Sequence, residues 1–156
     1  MKALLFHVLF HYLIWSPRFE THAKRIESIQ RRFTRFALRK IGWSYETMPP
    51  YPLRCQLLSI ETLEDRRSCT DALFMFDLIQ NNIDCSSLLS EINFNVPSRQ
   101  LRHYSLLNSS SHRTVYGQND PLNRITIQFN KFNHLFDFGM NHNSFKRSTA
   151  ECLKTR

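Results

Sequence analysis

The sequence predicts a mainly α protein: an irregular helical domain with long surface loops and at most one short strand or extended segment. Three observations predict it. Apolar residues recur at helical spacing in three separate stretches, around 24–41, 59–79 and 122–136. A single short stretch, Ile92 to Val96, alternates apolar and polar residues as a half-buried strand does. Thirteen Phe and a hydrophobic content of 42% supply the bulky groups of a core, and 156 residues suit one compact domain.

Ala3 to Trp15 is an apolar run that contains His7 and His11. It is shorter than the roughly 20 residues a membrane span takes, and no small-residue cleavage site precedes Pro17, so 1–16 reads as a buried helix. His7 and His11 lie one turn apart, yet HVLFH lacks the Glu of the zinc-protease motif, and both read as packing residues.

The chain is organised around Lys24 to Trp43. At helical pitch Ile26, Ile29, Phe33, Phe36, Ala37 and Ile41 share one stripe, which is expected to face a core. Lys24, Arg25, Arg31, Arg32, Arg35 and Arg39 fall on the opposite arc. Residues 24–40 hold seven Lys/Arg and one acid, Glu27, and so carry six of the chain's eight net positive charges. Gly42 can take the left-handed conformation that ends a helix, and Arg39 and Lys40 complement the negative end of its dipole.

Pro49, Pro50 and Pro52 then forbid helix and set a rigid elbow. Pro52 opens a short helix through Leu53, Leu57 and Leu58, where Arg54 adds a further positive group. Ser59 is expected to cap a long helix that ends at Asn81 and Asn82, with Glu61, Glu64 and Asp65 in its early turns. Leu63, Leu73, Phe74, Leu78 and Ile79 are its apolar groups. Phe76 lies off their arc, so the second half is expected to be enclosed by protein. Asp84 is expected to cap a short turn of helix through Leu88 and Leu89, and Pro97 to end the extended stretch. Ser98 to Asn119, rich in Ser, Arg, His and Asn, reads as a surface loop anchored by Leu101, Tyr104, Leu106 and Leu107. Asp120-Pro121 is a helix-start pair for a stripe of Leu122, Ile125, Phe129, Phe132 and Phe136, bent or ended at Gly139. Asn143 or Ser144 is expected to cap a last helix carrying Phe145, Lys146 and Arg147, with 154–156 frayed.

Several function classes are excluded. Gly42, Gly117 and Gly139 are too far apart to build a Gly-rich phosphate cradle. Cys55, Cys69, Cys85 and Cys152 form no CxxC pair and read as reduced thiols of an intracellular protein. There is no GxSxG elbow, and the densest acidic group, Glu61, Glu64 and Asp65, is explained by its place at a helix start. No catalytic residue, metal site, cofactor, small-molecule substrate or membrane span is expected.

RIESIQRRFTRFAL, PPYPLRCQLLSIETLEDRR, ALFMFDLI, INFNVPSRQLR, HRTVYGQNDPLNRI and LFDF, in this order, resemble the region after the polymerase palm in insect non-LTR retrotransposon reverse transcriptases, the jockey-like mobile elements. The likeness runs from about Trp15 to Arg147. It implies a thumb-like piece at 17–82 and a post-thumb piece at 83–156, in an enzyme that is an RNA-directed DNA polymerase. The first twelve or so residues depart from the pattern. The family's palm, with the paired aspartates that hold two metal ions, is missing, and no Asp-Asp dipeptide occurs.

What remains is a basic face suited to neutralising phosphates without reading bases, through Lys24, Arg25, Arg31, Arg32, Arg35 and Arg39. The expected partners are the RNA/DNA phosphate backbone and the missing palm domain, inside the cell, in nucleus or cytoplasm. Two rivals stand beside this reading. A helix-turn-helix regulator needs a turn of about three or four residues, far shorter than the proline elbow. A stand-alone interaction protein would use the same basic amphipathic helix toward a calmodulin-like or membrane-surface partner. The burial of Phe33 and Phe36 discriminates, since a helix packed through these rings is not free to engage a groove or bilayer.

Overall fold

A computed structural model describes residues 16–17, 19–96, 99, 104–114, 117 and 120–154. The apolar run with His7 and His11 lies outside them. Mainly α is what is observed: six α-helices and one 3-10 turn among the described residues, α1 (Glu20–Lys40), α2 (Tyr51–Leu57), α3 (Leu63–Ile79), α4 (Ser86–Ser90), α5 (Pro121–Asn130), the 3-10 turn (Asn133–Leu135) and α6 (His142–Lys154). The extended stretch contributes a single antiparallel bridge between Phe94 and Leu107. The chain divides within α3, Ser16–Arg67 forming one unit and Ser68–Arg156 belonging to the other.

In the first unit, α1 ends as its sequence demands. Gly42 sits at φ +108°, and the Trp43 amide bonds back to the Leu38 carbonyl at 3.1 Å, satisfying the last turn. Pro50 precedes α2 in an extended conformation, with Pro52 in its first turn. Ser59 is not the cap of the next helix. Its φ of +54° makes it the left-handed residue that closes α2, with the Ile60 amide bonded to the Cys55 carbonyl at 2.9 Å. The cap of α3 is Thr62, whose hydroxyl accepts from the Asp65 amide at 3.0 Å and donates to the Asp65 carboxylate at 2.6 Å.

The second unit holds the apolar core. Ala72, Met75, Phe76 and Leu78 of α3 are fully enclosed, which fits the all-round apolar pattern of that half. Phe74 of α3, Ile125 and Phe129 of α5, Phe132 after it, Phe145 of α6, and Leu107 complete the cluster. Phe76 stacks on Phe145 at 4.7 Å and 13°, while Phe136 meets Phe76 and Phe129 edge-on. Part-buried polar groups link the helices: Arg124 Nε donates to Asp71 Oδ2 at 3.1 Å, joining α5 to α3, and His142 Nδ1 lies 2.8 Å from Asp77 Oδ1, joining α6 to α3.

Asp120 caps α5 as expected, accepting from the Leu122 and Asn123 amides, and Pro121 begins the helix. The apolar stripe to Phe136 is longer than the helix, which stops at Asn130, so Phe132 and Phe136 reach the core from the following turn. Asn130 also holds the loop: its side chain accepts from the Leu107 amide at 3.0 Å and donates to the Leu107 carbonyl at 2.8 Å. Two other caps differ from expectation. Asn141, not Asn143 or Ser144, caps α6 by accepting from the Ser144 amide at 2.8 Å. Cys85 precedes α4 without a side-chain cap, in place of Asp84. Asp84 stands one residue before the observed position, and Asn143 and Ser144 stand two and three residues after theirs, a slip of the size local signals leave open.

Candidate nucleic-acid interface

At about 100° per residue α1 has three faces rather than two. Glu27, Thr34 and Leu38 share one of them, and these are the buried residues of the helix. The expected apolar core face is turned outward instead: Ile29 is 67% exposed, Phe33 56% and Phe36 59%, and Ile26 and Ile41 are exposed too. This overturns the expectation that the stripe packs inward. The reason lies in the partners. α2 brings polar donors to α1, and their acceptors are on the polar line, so the helix docks through Glu27 and Thr34.

Glu27 is the hub. Its Oε1 accepts from the Tyr51 hydroxyl and from the Leu63 amide, the latter at 3.2 Å, and its Oε2 lies 3.8 Å from Arg67 Nη2. Leu63 opens α3, so a carboxylate meets the positive end of that helix dipole. The lone acid of the basic segment is thus spent inside the fold. Arg54, the further positive group of α2, is 4% exposed, donating to Thr34 Oγ1 at 3.2 Å and to the Pro49 carbonyl at 2.8 Å. Burial, then the positive charges of Arg35 and Arg31, push its pKa below the usual guanidinium value.

Lys24, Arg25, Arg31, Arg32, Arg35 and Arg39 are all exposed. They occupy about a third of the helix circumference, one arc between the polar line and the apolar stripe. Lys24 pairs with Glu20 at 2.6 Å, holding that carboxyl below its ordinary value through the hydrogen bond and then the charge. Among the described residues, no carboxylate lies within ion-pair distance of Arg25, Arg31, Arg32, Arg35 or Arg39. Two of the guanidiniums rest on aromatic rings instead, Arg31 over Tyr51 at 5.0 Å and Arg39 over Tyr45 at 4.6 Å, with Arg39 Nη1 also donating to the Tyr45 hydroxyl at 3.2 Å. These contacts orient the two side chains and leave their charge unspent.

Sequence reasoning missed Tyr45 and Tyr51 as supports and Glu27 as the anchor. A signal for Glu27 exists: Glu27, Thr34 and Leu38 recur at helical spacing, and a single acid in a run of cations is out of pattern. Tyr51 gives a pH test. Burial, then its bond to Glu27, hold the phenol well above its ordinary value. The folded chain keeps this proton to higher pH than the unfolded chain, so the stability it contributes is complete below about pH 10 and is lost as pH rises from there toward the folded value. Urea melts at about pH 8 and about pH 11 should show a larger loss for the parent than for Tyr51→Phe; equal losses would contradict the buried phenol.

Fold and surface together define a mainly helical protein with an outward cationic helix face. Among the described residues no three His, Cys, Asp or Glu are placed to share a metal ion, and no helix is long and apolar enough to cross a membrane. Comparison with protein-family models, curated proteins and solved structures yields no match.

Proposed function

We propose that this chain is a fragment of a non-LTR retrotransposon reverse transcriptase, catalytically inactive alone, that holds the phosphate backbone of RNA/DNA template and primer through α1 without reading sequence. The observation that carries this reading is the arc of Arg25, Arg31, Arg32, Arg35 and Arg39, exposed and without carboxylate partners among the described residues. Phosphate neutralisation and counterion release need no more than such an arc, and a surface that follows a moving duplex gains nothing from base contacts. The order of sequence words supplies the ancestry. The fragment would act inside the cell, in nucleus or cytoplasm.

Replacing Arg31, Arg32, Arg35 and Arg39 by Ala is expected to weaken binding to an RNA/DNA hybrid and to flatten the slope of log affinity against log salt by about 3. Fluorescence anisotropy between about 50 and 200 mM salt measures both. A variant with the parent's affinity and slope would refute the assignment. The exposure of Phe33 and Phe36 favours a second reading, the interaction protein with a basic amphipathic helix.

A further inference from the structure

We infer that α1 lies on a bilayer surface bearing anionic headgroups, with its apolar stripe sunk among the acyl chains. This goes beyond nucleic-acid binding, which uses only the arginine arc.

From Phe19 to Ile41 the exposed stripe, with Ile26, Ile29, Phe33 and Phe36 between them, runs for about 33 Å along one side of the helix. The cationic arc borders it: by helical pitch Arg25 and Arg32 flank the stripe beside Phe36, and Lys40 lies within it, its Nζ 5.7 Å from the Phe36 ring. Long basic side chains at the edge of an apolar face reach headgroups while their stems stay in the boundary layer. Carboxylates, which anionic lipid would repel, are almost absent from the outward faces. Glu27 is turned inward and Glu20 is paired with Lys24.

The third face of the helix excludes the other partners that suit such a composition. Glu27 and Thr34 are committed to α2 and the start of α3, and Leu38 on the same face is buried, so α1 cannot be wrapped on all sides as a calmodulin-type partner wraps its target. It can meet only a one-sided partner. A nucleic-acid duplex would neutralise the arginines but leave the isoleucines and Phe33 in water, whereas an anionic bilayer satisfies both outward faces together.

The test is sedimentation of the full chain with phosphatidylcholine vesicles, with and without phosphatidylserine, for the parent and for the Ile29→Ser/Phe33→Ser/Phe36→Ser variant. Circular dichroism of the variant should match the parent, because all three residues are more than half exposed. The parent should bind the phosphatidylserine vesicles and not phosphatidylcholine alone, and the variant should bind roughly a hundredfold more weakly. Hybrid binding by the variant should be unchanged, which separates this inference from the arginine assignment. Three results would overturn it: a parent that ignores the phosphatidylserine vesicles, a serine variant that binds them equally, or a parent dimer that the serine changes turn into a monomer, since the stripe would then be covered by a second copy.

Discussion

Phe76→Ala is expected to destabilise the protein by about 4 kcal/mol, within the range for removing an enclosed phenyl ring. Phe76 has no exposed surface, stacks on Phe145 and receives the edges of Phe136 and His142. Its loss opens a void beside Phe136, His142 and Phe145, and neighbours that are themselves rings cannot collapse into it without leaving their rotamers. Phe138→Ala, at a ring largely in solvent, is expected to cost less than about 1 kcal/mol. Urea midpoints for the two variants, compared at constant m, measure the contrast. If Phe76→Ala cost no more than Phe138→Ala, the enclosed aromatic cluster would be wrong.

Glu27→Ala is expected to cost about 3 kcal/mol, since it leaves a part-buried hydroxyl and a helix-terminal amide without their shared acceptor and a guanidinium without its nearby opposite charge. The Tyr51 hydroxyl, the Leu63 amide and Arg67 are those groups. Glu27→Leu makes the more pointed comparison. It raises the apolar content of α1 and on hydrophobicity alone should stabilise the fold, yet it removes the same acceptor and should be about as damaging as Ala. Glu27→Gln, which keeps one carbonyl oxygen, should fall between the parent and Ala. Thermal or urea melts of the three variants give the order; a Leu variant as stable as the parent would show that α1 does not dock through its polar line.

The helices themselves were legible because their signals are local. Gly42 at positive φ, Asp120 accepting two amides ahead of Pro121, and the enclosure of Met75, Phe76 and Leu78 on all sides follow from dihedral preference, capping chemistry and apolar spacing within a few residues. The caps slipped where neighbours compete. Ser59 has a good N-cap side chain, but it was needed to close α2 in the left-handed region, and Thr62 took the start of α3. The cationic arc was legible as well, since which side chains share a side of a helix depends only on its pitch.

By itself, then, the sequence determined a mainly helical chain, the place of its enclosed core helix and the one-sided gathering of arginines on α1. Only the tertiary structure decided which face of α1 is covered. A periodic pattern says that a stripe of Ile and Phe gains from leaving water, but not that anything is there to receive it. The groups that claimed the helix, the Tyr51 hydroxyl and the Leu63 amide, stand 24 and 36 positions further along, and Arg54 reaches Thr34 from 20 away. Buried donors without acceptors cost more than exposed rings, and so the polar line went in and the apolar stripe stayed out.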